Sequence, residues 1–179
     1  MKNGGIIYLN GVTSTGKTSI GQAIQNIADR NIYIFSNDIF ANLASRKYLE
    51  SNFWYYLGDA ILNMYYAAAV MAKNGAVVII DGMLTNEPEL IKRFGKSHYE
   101  TIQSCFNDIK VCLVEVYCPL EECRKRNIQR GDRGEYQSNT QTKFMQKDIY
   151  YDFRVDTLIN SPEVCAKQIL NNLQIGVED

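Results

Sequence analysis

The sequence is poor in histidine and proline, with one histidine and three prolines among 179 residues. No partner for His98 is visible in the sequence, so we expect this side chain at the surface or at a helix end, not in catalysis. Internal repeats and low-complexity linkers are also absent. Because the chain is long enough to bury a hydrophobic core, these absences predict a single domain over residues 1–179.

Neither sign of charge dominates, since nineteen basic and twenty acidic residues give a formal net charge of −1. This balance provides no electrostatic case for binding to nucleic acid or to a membrane surface. Long hydrophobic runs are missing too: the uncharged stretch at residues 64–72 is far shorter than the roughly 20 residues that span a bilayer. The first residues carry no apolar signal-peptide region, so we expect a cytoplasmic protein.

The cysteines form no C-x-x-C pair and no zinc-type spacing, which excludes the common structural zinc motifs. The five of them are Cys105, Cys112, Cys118, Cys123 and Cys165. An odd number without a secretory signal fits reduced and mostly buried thiols.

A complete phosphate-binding motif is present near the start of the chain. Residues 11–18 read GVTSTGKT, which matches G-x-x-x-x-G-K-[ST]. An apolar run at residues 6–9 precedes this loop, and apolar residues from Ile20 to Ile27 follow it at helical spacing. The motif requires this order of strand, glycine loop and helix. The alternative is a simple Gly/Ser turn with a solvated lysine.

Such a loop is built to hold the phosphates of a nucleoside triphosphate. Its backbone N–H groups converge at a helix N-terminus, where the helix dipole favours an anion. Lys17 is expected at the β- and γ-phosphates, as a catalytic residue, and Thr18 at Mg²⁺. The predicted nucleotide-binding set is Gly11, Val12, Thr13, Ser14, Thr15, Gly16, Lys17, Thr18 and Ser19.

Apolar runs alternate with helical segments along the chain. A long helix is expected at residues 53–73, and Ser161-Pro162-Glu163 is typical of a helix start. Further strands are expected at residues 32–35, 76–80, 111–117 and 154–156. Five strands joined by helical crossovers predict an α/β fold, in which helices cover both faces of a parallel sheet.

Acidic residues follow two of these strands, at the sheet edge where ligands of such folds bind. Asp38 comes after the second strand and is our candidate for the acid–base residue that accepts the proton of an acceptor hydroxyl. Its alternative role is to cap a helix that starts at Ile39. Asp81 ends the third strand and is the candidate that supports Mg²⁺, the alternative being a turn residue at the strand end.

A basic segment at residues 123–133 contains five basic residues and one acidic residue. Arg126 and Arg130 share a helix face, and two glycines flank Arg133 in the loop that follows. We interpret residues 127–142 as a lid whose arginines contact phosphates, with Arg133 in catalysis. The alternatives are a solvated helix face and a small nucleic-acid patch.

Large aromatic residues cluster between the second and third strands. At helical spacing such residues are more often core than pocket. This segment lies where an acceptor would enter, so Trp54 and Tyr55 are candidate substrate contacts.

Together these stretches resemble the chloramphenicol phosphotransferase-like family of P-loop kinases. The matching sequences are IIYLNGVTSTGKTSI, SND, VVIIDG, VYCPLEECRKRNIQRGDRG and YYDFRVDTLINSPEVCAKQI. The resemblance implies a three-layer, nucleoside-monophosphate-kinase-like P-loop NTPase with an Arg-bearing lid. It also implies transfer of the γ-phosphate of ATP to a hydroxyl of a small molecule, with a catalytic carboxylate at Asp38 and phosphate-contacting arginines in the lid.

Two departures from the family leave the acceptor open. Gly82 follows Asp81 where the family tends to have a second acidic residue, and the chain between Asp38 and Asp81 is shorter than in the chloramphenicol enzyme. Alternative acceptors are a nucleoside, a sugar, an aminoglycoside-like compound or, as in zeta-type toxins, a sugar nucleotide. A non-kinase regulatory nucleotide switch is a rival from another class, disfavoured because neither N-K-x-D nor a suitably placed D-x-x-G is visible. Neutral charge disfavours a nucleic-acid end kinase, and the missing G-x-G-x-x-G disfavours a dehydrogenase.

Overall fold

A parallel β-sheet forms the centre of the computed structural model, which describes residues 4–175. Its strands are β1 (Gly5–Asn10), β2 (Ile32–Ser36), β3 (Val77–Gly82), β4 (Val111–Tyr117) and β5 (Phe153–Asp156). They lie side by side in the order β2-β3-β1-β4-β5, and each neighbouring pair is parallel. The predicted five-stranded parallel sheet is confirmed. The prediction that the first residues carry no signal-peptide region concerns residues 1–3 in part, and these lie outside the described range.

Helices connect the strands. They are α1 (Lys17–Ile27), α2 (Asn37–Leu43), α3 (Arg46–Ser51), α4 (Phe53–Lys73), α5 (Pro88–Phe94), α6 (His98–Cys105), α7 (Leu120–Arg130), α8 (Gln137–Phe144) and α9 (Pro162–Leu173). The predicted long helix is confirmed as α4, and the predicted start of α9 is confirmed because Ser161 caps it. Sequence reasoning missed α3, α5, α6 and α8, since six to eight residues are too few to display a helical period. Within the described part of the chain, no helix is long and apolar enough to cross a membrane.

Two apolar clusters cover the two faces of the sheet. Alternate residues of a strand point to opposite faces, so Ile7 and Leu9 of β1 pack with α1 and α9, whereas Ile6 and Tyr8 pack with α4 and α6. The burial of each large aliphatic side chain stabilises the fold by about 1.5–3 kcal/mol. The result is a three-layer arrangement with helices on both faces, as expected.

All five cysteines are free thiols, and each except the partly exposed Cys105 is buried. The prediction that the cysteines are mostly buried is confirmed. Burial raises the pKa of Cys123 to about 12 and that of Cys112 to about 11. Because the thiolate is the reactive form, these two residues are poor nucleophiles at neutral pH.

His98 lies in the core. It begins α6, so the predicted helix-end position is confirmed, but its side chain is fully buried and the surface alternative is wrong. The Thr85 N–H donates to Nδ1 at 3.3 Å, and Nε2 lies 2.7 Å from the Tyr65 hydroxyl. The Tyr65 hydroxyl in turn lies 3.0 Å from that of Tyr8. These partners are distant in sequence, which is why no partner was visible there.

Acidification is expected to destabilise the protein through His98. Burial lowers the pKa of this imidazole to about 3, against an ordinary value of 6.5. Below pH 6.5 the unfolded chain therefore binds a proton that the folded protein does not, and the free energy of unfolding falls with pH. Between pH 7 and pH 5 this residue should cost about 2 kcal/mol. Urea denaturation at both pH values measures the loss, and an equally large loss in a His98→Gln variant would contradict this origin.

Candidate functional site

The loop between β1 and α1 lies at the carboxyl edge of the sheet. Gly16 caps α1 with a φ of 98°, a left-handed conformation that favours glycine. Lys17 turns back over the loop and donates to the carbonyl oxygens of Gly11 and Val12, at 2.8 and 2.9 Å. Since Lys17 is only 9% exposed, the alternative of a solvated lysine is wrong. Burial lowers the pKa of Lys17, and nearby Asp81 partly opposes this effect.

Asp81 contacts both predicted partners in this loop. The Thr18 hydroxyl donates to Asp81 Oδ2 at 2.5 Å, and Lys17 Nζ lies 3.8 Å from Asp81 Oδ1. The parallel pairing of β1 and β3 sets Asp81 beside Leu9, two residues before the loop. Because β3 continues through Gly82, the alternative of a turn residue is wrong.

This oxygen-rich corner fits Mg²⁺. A hydroxyl and a carboxylate are hard ligands, and Mg²⁺ in phosphoryl-transfer sites takes one or two protein oxygens and completes its shell with phosphate and water. Residues 4–175 contain no group of three or more His, Cys, Asp or Glu side chains that could hold a metal ion. Thr18 and Asp81 therefore suit a cation that arrives with a nucleotide and do not form an all-protein metal cage.

Asp38 and Arg133 form an ion pair across the cleft. Arg133 Nη2 donates to Asp38 Oδ2 at 2.9 Å, although the two residues are 95 positions apart. The hydrogen bond with Asp38 raises the pKa of Arg133, so the guanidinium is permanently charged. The helix-cap alternative for Asp38 is wrong, because Ser36 caps α2 by accepting from the N–H of Ile39.

The other two predicted arginines, Arg126 and Arg130, differ in the number of hydrogen bonds that they form with the rest of the protein. Arg126 donates to the hydroxyl and the carbonyl of Thr157 at 3.0 and 2.9 Å, and pairs with Glu122 at 3.2 Å. Arg130 is more exposed, and within residues 4–175 its one side-chain partner is Asp132, at 3.2 and 3.3 Å. Arg126 is thus held in place, whereas Arg130 lies where it can exchange its partner.

The predicted nucleotide-binding residues line one open cleft of about 880 Å³, except Val12 and Thr15. Asp38, Asp81, Arg126, Arg130 and Arg133 line the same cleft. Trp54 and Tyr55 do not line it. They lie in the first turn of α4, where Trp54 packs on Phe53 and Tyr55 lies beneath the guanidinium of Arg93. The physical reason is that α2 and α3 pack against α4. Asn37, Ile39 and Met83 line the cleft in addition to Asp38.

Sequence reasoning also assigned no role to three polar residues that reach the phosphate loop. Ser14 Oγ donates to Asn127 Oδ1 at 2.6 Å, and Ser138 Oγ donates to the carbonyl of Thr13 at 3.0 Å. Gln141 Oε1 accepts from the N–H of Thr13 at 2.6 Å. No motif or spacing marks these side chains, because their partners are more than a hundred positions away. Both ends of the predicted lid are therefore attached to the phosphate loop.

Comparison with known proteins agrees with this site. Residues 4–174 match the family described as Chloramphenicol phosphotransferase-like protein. The chain belongs to this family. It is also 24% identical, over 97% of its length and 84% of the relative's, to a Mycobacterium tuberculosis protein named "Putative O-phosphotransferase". Family membership makes the chain a P-loop kinase.

Solved kinase structures share its fold. The APS kinase CysC of Mycobacterium tuberculosis superposes with a TM-score of 0.67 at 16% identity, over 97% of this chain and 99% of that one. A sugar kinase from Janibacter gives 0.67 at 14% identity, with 96% and 95% covered. Shikimate kinase from Acinetobacter baumannii gives 0.59 at 13% identity, with 97% and 94% covered. These likenesses confirm the predicted P-loop kinase fold.

The departure from the family at Gly82 has a steric explanation. A Cβ atom at this position would lie 2.6 Å from the hydroxyl of Tyr8, which is buried and hydrogen-bonded to Tyr65. Any side chain here, acidic ones included, requires the Tyr8 ring to move. In this protein Asp81 is thus the single carboxylate at the end of β3.

Proposed function

We propose that the protein is an ATP- and Mg²⁺-dependent kinase that transfers the γ-phosphate to a hydroxyl group of a small molecule. One observation carries this proposal: the Asp38–Arg133 ion pair and the Lys17–Asp81–Thr18 group line the same cleft. Phosphoryl transfer needs cations around the phosphates and one group that orients the attacking hydroxyl, and these residues supply both.

The nucleotide end of the cleft belongs to residues 11–19. Their backbone N–H groups and Lys17 bind the phosphates, and Lys17 exchanges its carbonyl partners for phosphate oxygens. Thr18 and Asp81 would hold Mg²⁺, and the ion would supply positive charge to the phosphates. Arg126 and Arg130 provide further positive charge along the phosphates, Arg126 from a fixed position.

Asp38 is the acid–base residue in this proposal. It orients the acceptor hydroxyl and accepts its proton as the new phosphate ester forms. Arg133 contacts the transferring phosphoryl group, since its side chain lines the cleft beside Asp38. The ion pair keeps the proposed base and this arginine within hydrogen-bond distance of each other.

The acceptor is a small molecule without a phosphate group. The basic residues that line the cleft are Lys17, Arg126, Arg130 and Arg133. All four are assigned to the nucleotide, which favours an uncharged hydroxyl compound. A nucleoside or sugar fits this description, whereas a sugar nucleotide requires further cations. The balanced charge of the chain argues against nucleic acid as a partner.

We also propose that residues 1–179 form one kinase domain and that residues 127–142 are its lid. A cytoplasmic location is proposed as well. The free thiols support the location, since reduced cysteines are typical of the cytosol. The attachments of Asn127, Ser138 and Gln141 to the phosphate loop limit any lid movement to the segment that carries Arg133.

The test is transfer of label from γ-labelled ATP to a panel of hydroxyl compounds with and without Mg²⁺. The panel contains chloramphenicol, aminoglycosides, nucleosides, neutral sugars and sugar nucleotides, and products are identified by mass. Mg²⁺-dependent labelling of an uncharged acceptor is the expected result. Labelling of sugar nucleotides alone would replace the proposed acceptor class by its alternative. Failure of the purified protein to bind ATP would overturn the proposal.

A further inference from the structure

The peptide group between Val12 and Thr13 is held from both of its ends. Lys17 Nζ donates to its carbonyl oxygen at 2.9 Å, and Gln141 Oε1 accepts from its N–H at 2.6 Å. Lys17 is the residue that the motif assigns to the β- and γ-phosphates. The Gln141 side chain therefore meets the phosphate loop at the peptide group that Lys17 contacts.

The orientation of the Gln141 carboxamide follows from this contact. A backbone N–H can only donate, so the atom facing Thr13 is the carbonyl oxygen Oε1, and the NH₂ group points elsewhere. Gln141 lines the cleft together with Lys17 and Arg133. Among residues 4–175, no hydrogen-bond partner contacts its Nε2 atom. A free amide donor thus lies beside the loop that binds phosphate.

Two buried residues fix the surroundings of this contact. Asn127 and Ser138 are fully buried and hydrogen-bonded to each other at 3.0 Å. Asn127 accepts from Ser14, and Ser138 donates to Thr13. Ser14 has a φ of 61°, a left-handed conformation that is uncommon for residues other than glycine. The hydrogen bond to Asn127 helps to hold this conformation, and with it the loop that Gln141 contacts.

We propose that Gln141 binds the γ-phosphate of ATP through its Nε2 amide, while Asn127 and Ser138 act as positioning residues for the phosphate loop. This inference rests on the proposed function, and it adds a phosphate contact from α8 to those of the loop and the arginines. No proton is moved by Gln141. Its contribution is a charge-assisted hydrogen bond to the phosphoryl group that is transferred.

The decisive variant is Gln141→Glu. The glutamate keeps an oxygen that accepts from Thr13 N–H, but it replaces the amide donor by an anionic oxygen that repels phosphate. Calorimetric titration with ADP and with a non-hydrolysable ATP analogue compares ligands that differ in the γ-phosphate. We expect the affinity for the ATP analogue to fall about tenfold or more and that for ADP to change little. Gln137→Glu is the matched control, because it makes the same change on α8 at a side chain that does not line the cleft.

The ratio of the two affinities does not depend on the fraction of protein that is folded. Equal losses for both nucleotides would reduce Gln141 to a residue that holds the loop, and unchanged affinities would also overturn the inference. If wild-type protein bound neither nucleotide, the proposed function itself would fail. Ser138→Ala separates the two roles: a positioning residue should weaken binding of ADP and of the ATP analogue by similar factors.

Discussion

Replacement of Asp38 by asparagine should lower phosphoryl transfer about a hundredfold or more, while nucleotide affinity stays close to that of the wild type. In the proposed mechanism the Asp38 carboxylate accepts the proton of the acceptor hydroxyl. An asparagine side chain cannot accept this proton. Asparagine still accepts a hydrogen bond from Arg133, so the geometry of the pair survives. Steady-state transfer to the acceptor identified in the panel, with ADP titration alongside, measures both quantities.

The matched control for this variant is Asp132→Asn. Asp132 is also a partner of Arg133, at 3.8 Å, but it does not line the cleft. The same loss of one carboxylate next to the same arginine should change transfer by less than about threefold, as is usual for exposed ion pairs. Similar losses in the two variants would mean that Asp38 acts only through Arg133 and is not the base.

The predictable parts of this molecule rest on local sequence. Strands β1 to β4 are mainly apolar runs, and the order of strand, glycine loop and helix around residues 11–18 specifies the phosphate loop within a single stretch. The meeting of Thr18 and Asp81 was also predictable. In a parallel sheet the carboxyl ends of the strands share an edge, so an acidic residue at the end of β3 lies near the loop after β1.

Contacts made by loops and short helices were not predictable in the same way. The sequence placed Asp38 and Arg133 in one site but gave no reason for a direct ion pair, because the path of residues 131–136 is set by tertiary packing. The burial of His98 was missed for the same reason. Its burial depends on α6 packing against α4, and a single polar residue on a short helix carries no signal of that.

The acceptor end of the cleft was the least predictable. Trp54 and Tyr55 stand at the start of a long helix that the sequence located correctly. Their separation from the cleft follows from α2 and α3, two short helices without a clear period. Gln141 had no visible signal at all, since a glutamine on a polar helix is usually a solvated residue. Its contact with Thr13 exists only because α8 folds back onto the phosphate loop.

Replacement of Lys17 by methionine should abolish most nucleotide binding without a comparable loss of stability. Methionine has a similar length but no charge, so the phosphates lose a buried, charge-assisted donor. We expect ATP affinity to fall roughly a hundredfold and transfer to fall at least as far. Calorimetric titration with the ATP analogue measures the affinity. Lys73→Met is the control, because Lys73 is exposed and only loosely paired with Asp108, and its loss should leave binding unchanged.

The stability of this variant without nucleotide separates the two roles of Lys17. Burial lowers the pKa of Lys17, so its charged form is less favourable in the folded protein than in the unfolded chain, even with Asp81 nearby. Removal of the charge therefore relieves a cost of folding, which offsets the two hydrogen bonds lost to Gly11 and Val12. We expect a free energy of unfolding within about 1 kcal/mol of the wild type, or higher. A much less stable variant would show that Lys17 is needed to hold the loop together; an intact fold that no longer binds ATP would show that this buried charge is kept for the phosphates.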